Sequence, residues 1–99
     1  MTMTTTLTGK MLIGAAAVAG TDGGQRAFNP ATNAEIAEPL FGFGTAADVD
    51  RAASLAASAF DEYRALPLAR RAAFLEAIAD NIMALGDALL ERAHAETGL

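Results

Sequence analysis

Residues 27–36, Ala-Phe-Asn-Pro-Ala-Thr-Asn-Ala-Glu-Ile, divide the chain into two regimes. Before them lies glycine-rich sequence with short β-forming runs, and after them comes nearly unbroken helical periodicity. Proline fixes its own φ and pushes the preceding residue out of the helical region, so Asn29-Pro30 turns the chain. Asn33, three residues on, is among the few non-glycine residues that tolerate the left-handed conformation in which a tight turn often ends. The stretch therefore predicts a hairpin turn.

Size limits what can be built around that turn. A chain of 99 residues forms at most one small domain and buries only about 60–65% of its unfolded surface. Of the 53% apolar residues, 25 are alanine, and five Phe and one Tyr supply all the aromatic bulk. The core is lean, and the chain is expected to need further structure to pack against. A net charge of −5 argues against nucleic acid and anionic membrane surfaces as partners. The absence of cysteine excludes disulfides and thiol catalysis within these residues.

Lys10 precedes the apolar run 11–19, and Ala17-Val18-Ala19 has the small-x-small form of a signal-peptidase site. Gly14 interrupts that run, and the positive charge follows a threonine-rich start instead of opening the chain. The run is also short of the roughly 20 apolar residues that span a bilayer. The expected location is the cytoplasm.

Residues 1–10 read as a flexible N-terminus, with 1–9 expected to fray. In the region 11–44, Leu12, Ile13 and Val18, then the turn cluster 20–24, then extended residues 25–28 read as a β-hairpin. Residues 36–41 form a third short strand, which Pro39 confines to an edge or to irregular pairing.

The region 45–99 reads as three amphipathic helices. Thr45 caps the first, with Asp48 completing a capping box. Val49, Ala52, Ala53, Ala56, Ala59, Phe60 and Tyr63 share one face. Pro67 is placed as the first residue of a second helix carrying Arg71, Phe74, Leu75, Ile78, Ile82 and Leu85, which Gly86 stops. Asp87 opens a third, and Gly98 sits where a C-terminal glycine belongs. Ending so soon after that glycine, the chain reads as the front of a longer protein.

The chemistry-bearing patterns are few. Residues 42–47, Gly-Phe-Gly-Thr-Ala-Ala, match G-x-G-x-x-A between a strand and a helix, as in dinucleotide-binding units. Asp61 and Glu62 stand at the spacing of the ribose-binding acid but within a helix, and a second helix follows where a strand is required. The stretch therefore reads as a strand-to-helix connector. His94, the sole histidine, has no partner for metal or nucleophile chemistry and reads as a surface residue. Arg70 and Arg71 are expected to pair with Asp61 and Glu62 on the surface or between helices. Arg92 and Glu96 form an i, i+4 pair worth at most a few tenths of a kcal/mol.

Taken in order, Phe-Asn-Pro-Ala-Thr at 28–32, Ala-Asp-Val-Asp-Arg-Ala at 47–52, Ala59-Phe60 and Glu96-Thr97-Gly98 resemble the N-terminal region of the NAD(P)-dependent aldehyde dehydrogenase superfamily. The resemblance runs from about Leu12 onward. Residues 11–14, 38–42 and 60–64 look most like the branch acting on 2,5-dioxopentanoate (α-ketoglutarate semialdehyde). Asn33-Ala34 stand where the family commonly has Gly-Glu, so the turn is kept and that acidic side chain is lost. The fold class implied is an α/β (aldehyde dehydrogenase-like) fragment.

The resemblance further implies a parent enzyme that oxidises an aldehyde through a cysteine thiohemiacetal, passes hydride to NAD or NADP, and hydrolyses the thioester to a carboxylic acid. The catalytic cysteine, glutamate and asparagine and the cofactor-binding motifs would lie in later sequence, so the chain alone would bind no cofactor. Its partners would be the rest of the dehydrogenase chain and further copies in a homo-oligomer. The resemblance also implies a structural monovalent cation held by main-chain oxygens of Ala27 and Phe28 and by Glu96, although Glu96 reads first as a solvated helix-end carboxylate. A different class of protein, a self-standing helical interaction module without enzymatic activity, fits the same helical pattern.

Overall fold

The computed structural model describes residues 6–99. Of the expected fraying segment 1–9, residues 1–5 lie outside the described residues. Gly9, by contrast, passes so close to the main chain of Leu40 that a Cβ there would collide with the Leu40 carbonyl.

Two antiparallel hairpins come first. The first pairs β1 (Met11–Ile13) with β2 (Ala16–Val18) in the register Met11↔Val18 and Ile13↔Ala16. Gly14, at φ 62°, opens the two-residue connection, where an L side chain would be strained. The second hairpin pairs β3 (Gly24–Asn29) with β4 (Ala34–Gly42). Its turn is the one the sequence indicates. Asn29 Oδ1 accepts from the Ala31 N–H at 2.9 Å, and Asn33 takes φ 57°.

The expected hairpin between residues 12–18 and 25–28 is therefore corrected. Each of these runs pairs with a different neighbour, because Gly14 closes the first hairpin locally and the Asn-Pro turn closes the second. The glycine cluster at 20–24 instead clips the end of β4. The Asp22 N–H donates to the Phe43 carbonyl at 3.0 Å, and the Phe43 N–H donates to the Gly23 carbonyl at 2.9 Å.

β4 shows the irregular pairing expected of Pro39. Arg26 faces Leu40 but Phe28 faces Glu35, so residues 36–39 bulge out opposite Ala27 alone. Proline has no N–H for the ladder, and the bulge is where the sheet accommodates it. Pro39 is buried, as is Ile13 at 6% exposure.

Helix α1 (Ala46–Arg64) opens with the expected capping box. The Asp48 N–H donates to Thr45 Oγ1 at 3.2 Å, and the Thr45 N–H donates to Asp48 Oδ2 at 2.9 Å. Thr45→Ala is expected to cost about 1 kcal/mol, visible as lost helical ellipticity and a lower melting temperature.

The second helical element, α2 (Leu68–Thr97), contains the expected second and third helices, joined at Gly86 with no loop between them. Gly86 still breaks it, with φ 55° and ψ −134° in its interior, so the expected stop survives as a kink. Pro67, the expected first helical residue, instead immediately precedes the helix with ψ 149°, and its carbonyl accepts from the N–H groups of Arg70 and Arg71. At the far end Gly98, at φ 75°, donates its N–H to the His94 carbonyl as a left-handed cap.

The helices have little to pack on within the chain. Neither α1 nor α2 buries a residue, and the apolar face of α1 leaves Val49 65% and Phe60 62% exposed. Tyr63 and Phe74 meet edge to face at 5.6 Å across the α1–α2 connection. The accessible surface, 7861 Å², is half again the roughly 5,300 Å² of a compact monomer of this mass. The radius of gyration, 16.9 Å, exceeds the roughly 12.6 Å expected for 99 residues. A self-standing module would need a core that these helices do not form.

Candidate functional site

The G-x-G-x-x-A stretch lies between β4 and α1, and its glycines serve close packing. A Cβ on Gly42 would lie 2.9 Å from Gly20 Cα, and one on Gly44 would lie 3.0 Å from Met11 Sδ. The first turn of α1 is closed by its own carboxylate, since Asp48 takes the Thr45 N–H that a phosphate would need. Helix α2 follows α1 with no intervening strand. These residues do not fit a nicotinamide dinucleotide, and the reading as a connector agrees with the geometry.

His94 is exposed in the last turn of α2, where its Nδ1 meets the Leu99 carbonyl. Asp61 pairs with Arg64 on its own helix at 3.2 Å, a correction to the expected pairing with Arg70 or Arg71. The i, i+3 spacing places Arg64 directly over Asp61. Arg71 instead has a buried Nε with no acceptor among the described residues.

The region that joins sheet to helix is built around the β4 bulge. Expelling residues 36–39 from the ladder removes the strand partners of their carbonyls, and two arginines supply donors. Arg26 Nη1 donates to the Ala37 carbonyl at 2.7 Å, and Arg92 Nη1 donates to the Glu38 carbonyl at 3.0 Å. Arg92 also donates from Nε to Glu96 Oε2 at 2.7 Å, and its guanidinium carbon lies 5.9 Å from the centre of the Phe41 ring. It lines a groove of about 550 Å³ with Leu7, Pro39, Leu85 and Leu89.

Sequence reading places Arg92 in a surface pair, whereas the structure makes it a tertiary tie reaching 54 residues back along the chain. The available clue was Pro39: a proline inside a strand frees carbonyls that then require donors from elsewhere.

Of the three positions implied for a cation, Ala27 lies opposite the bulge, Phe28 is half exposed, and Glu96 is held by Arg92. Among the described residues no three His, Cys, Asp or Glu side chains converge, so a cation would depend on main-chain oxygens and this single carboxylate. With a guanidinium already on that carboxylate, the donor set does not fit a monovalent metal ion.

Fold and site together define an α/β scaffold of two hairpins and a long helical layer. The aldehyde dehydrogenase family profile matches residues 18–99, and the chain belongs to that family. It is 68% identical over 93 residues to alpha-ketoglutaric semialdehyde dehydrogenase 2 of Azospirillum brasilense. That match covers 94% of this chain and 18% of the relative's length. No solved structure gives a significant match. Among the described residues no helix is long and apolar enough to cross a membrane.

Proposed function

We propose that these residues are the N-terminal scaffold of an NAD(P)+-dependent dehydrogenase that oxidises α-ketoglutarate semialdehyde (2,5-dioxopentanoate) to the dicarboxylate. The observation that carries this reading is the 68% identity to a dehydrogenase of which the chain spans only 18%. The two hairpins and α1–α2 are the frame, and the thiol nucleophile, the base and the cofactor site belong to the remainder of the polypeptide. The uncovered faces of α1 and α2 are where that remainder packs. The assembled enzyme is a cytoplasmic homo-oligomer.

The intact polypeptide carrying this segment is expected to form reduced cofactor from 2,5-dioxopentanoate and to turn over shorter, uncharged aldehydes less efficiently. Initial rates with NAD+ and NADP+ across such a series test the proposal. A preference for an uncharged aldehyde would overturn the substrate assignment, and no turnover with any aldehyde would overturn the function.

A further inference from the structure

We propose that Arg92 is the resident cation of the sheet–helix junction, so that Glu96 serves as its counterion and the junction is held without a bound alkali-metal ion. Three contacts converge on the one guanidinium. Nε donates to Glu96 Oε2 at 2.7 Å, Nη1 donates to the Glu38 carbonyl at 3.0 Å, and the guanidinium carbon lies 5.9 Å from the centre of the Phe41 ring.

The side chain is only 20% exposed, against 40% for Glu96, so the charge sits on the inner side of the pair. Its Nη2 is buried with no acceptor among the described residues. Among the described residues the guanidinium thus has a donor to spare. An alkali ion on Glu96 would stand within a few ångströms of a fixed positive charge and would compete with it for one carboxylate.

The bulge explains why an arginine is suited to this place. Residues 36–39 leave the ladder opposite Ala27, and the carbonyls of Ala37 and Glu38 take arginine side-chain donors. A planar, permanently charged fork can satisfy one of those carbonyls and a carboxylate on its own helix simultaneously, and it can stack on an aromatic ring. A spherical ion would gather oxygens but could not stack. Arg92 is thus a positioning residue, fixing the last turns of α2 against β4.

The test follows the melting temperature of the intact polypeptide in sodium, potassium and tetramethylammonium chloride at equal ionic strength. The wild-type protein is expected to melt at one temperature in all three. Arg92→Lys retains a positive charge beside Glu96 and is expected to be equally indifferent, at a lower temperature. Arg92→Gln frees the carboxylate and is expected to melt several degrees higher in sodium or potassium than in tetramethylammonium.

A wild-type protein destabilised in tetramethylammonium and restored by sodium would overturn the proposal, as would an Arg92→Gln protein indifferent to the salt. Should Arg92→Gln fail to fold, titration of the wild-type protein with thallous ion, followed by thallium NMR, decides the matter. No saturable site sensitive to Glu96→Gln supports the proposal; a saturable site that Glu96→Gln removes overturns it. Because the readout is salt identity and not turnover, its outcome is separate from that of the aldehyde assay.

Discussion

Purified by itself and mixed with 2,5-dioxopentanoate and NAD+ or NADP+, the 99-residue chain is expected to form no reduced cofactor. Aldehyde oxidation by this family's chemistry needs a thiolate, and the chain contains no cysteine. The Thr45 N–H at the G-x-G-x-x-A helix start is already taken by Asp48. The same preparation is expected to bind an apolar-surface dye strongly and to unfold over a broad temperature range. Helices α1 and α2 leave Val49, Phe60, Phe74, Leu75, Ile82 and Leu90 half or more exposed, and a chain without a shared core lacks the basis for a sharp transition. Adding the remainder of the polypeptide should suppress dye binding and sharpen the melt. A sharp, dye-silent transition in the chain alone would show that the helices find a core by themselves.

Gly42→Ala is expected to prise the end of β4 away from the Gly20 backbone. Its Cβ would lie 2.9 Å from Gly20 Cα and closer still to the Gly20 carbonyl oxygen, so backbone would have to give way. Overpacking of this kind costs about 1–3 kcal/mol even where side chains can move aside. The two main-chain bonds flanking the contact, from Asp22 to Phe43 and from Phe43 to Gly23, depend on that approach. Hydrogen exchange of the Asp22 and Phe43 amides in the intact polypeptide should accelerate together, while amides in the middle of α1 keep their protection. Unchanged exchange at both positions would mean that the hairpins tolerate separation at this point.

Much of the architecture follows from local chemistry. Proline geometry and the Asx bond at Asn29 determine the turn at residues 29–33, and the left-handed Asn33 completes it. The Thr45–Asp48 box starts α1, Gly86 breaks α2 and Gly98 ends it, each through backbone preferences that act within a few residues. Family membership was legible for a related reason: its signatures are short runs of neighbouring residues read in order along the chain.

Strand pairing was not legible, because which β-forming run meets which depends on where the chain closes, and Gly14 closed the first hairpin earlier than the larger glycine cluster suggested. The role of Arg92 was hidden for a stronger reason. Read locally it has a partner four residues away, and only the bulge that Pro39 forces into β4 brings the Glu38 carbonyl and the Phe41 ring to the same guanidinium. The sequence by itself thus determined the turns, the caps, the break in α2 and the family, since each is decided by neighbours along the chain. Only the tertiary structure decided the pairing of the strands, the use of the glycines as contact points and the bond from Arg92 to the Glu38 carbonyl, because these depend on groups brought together from distant parts of the sequence.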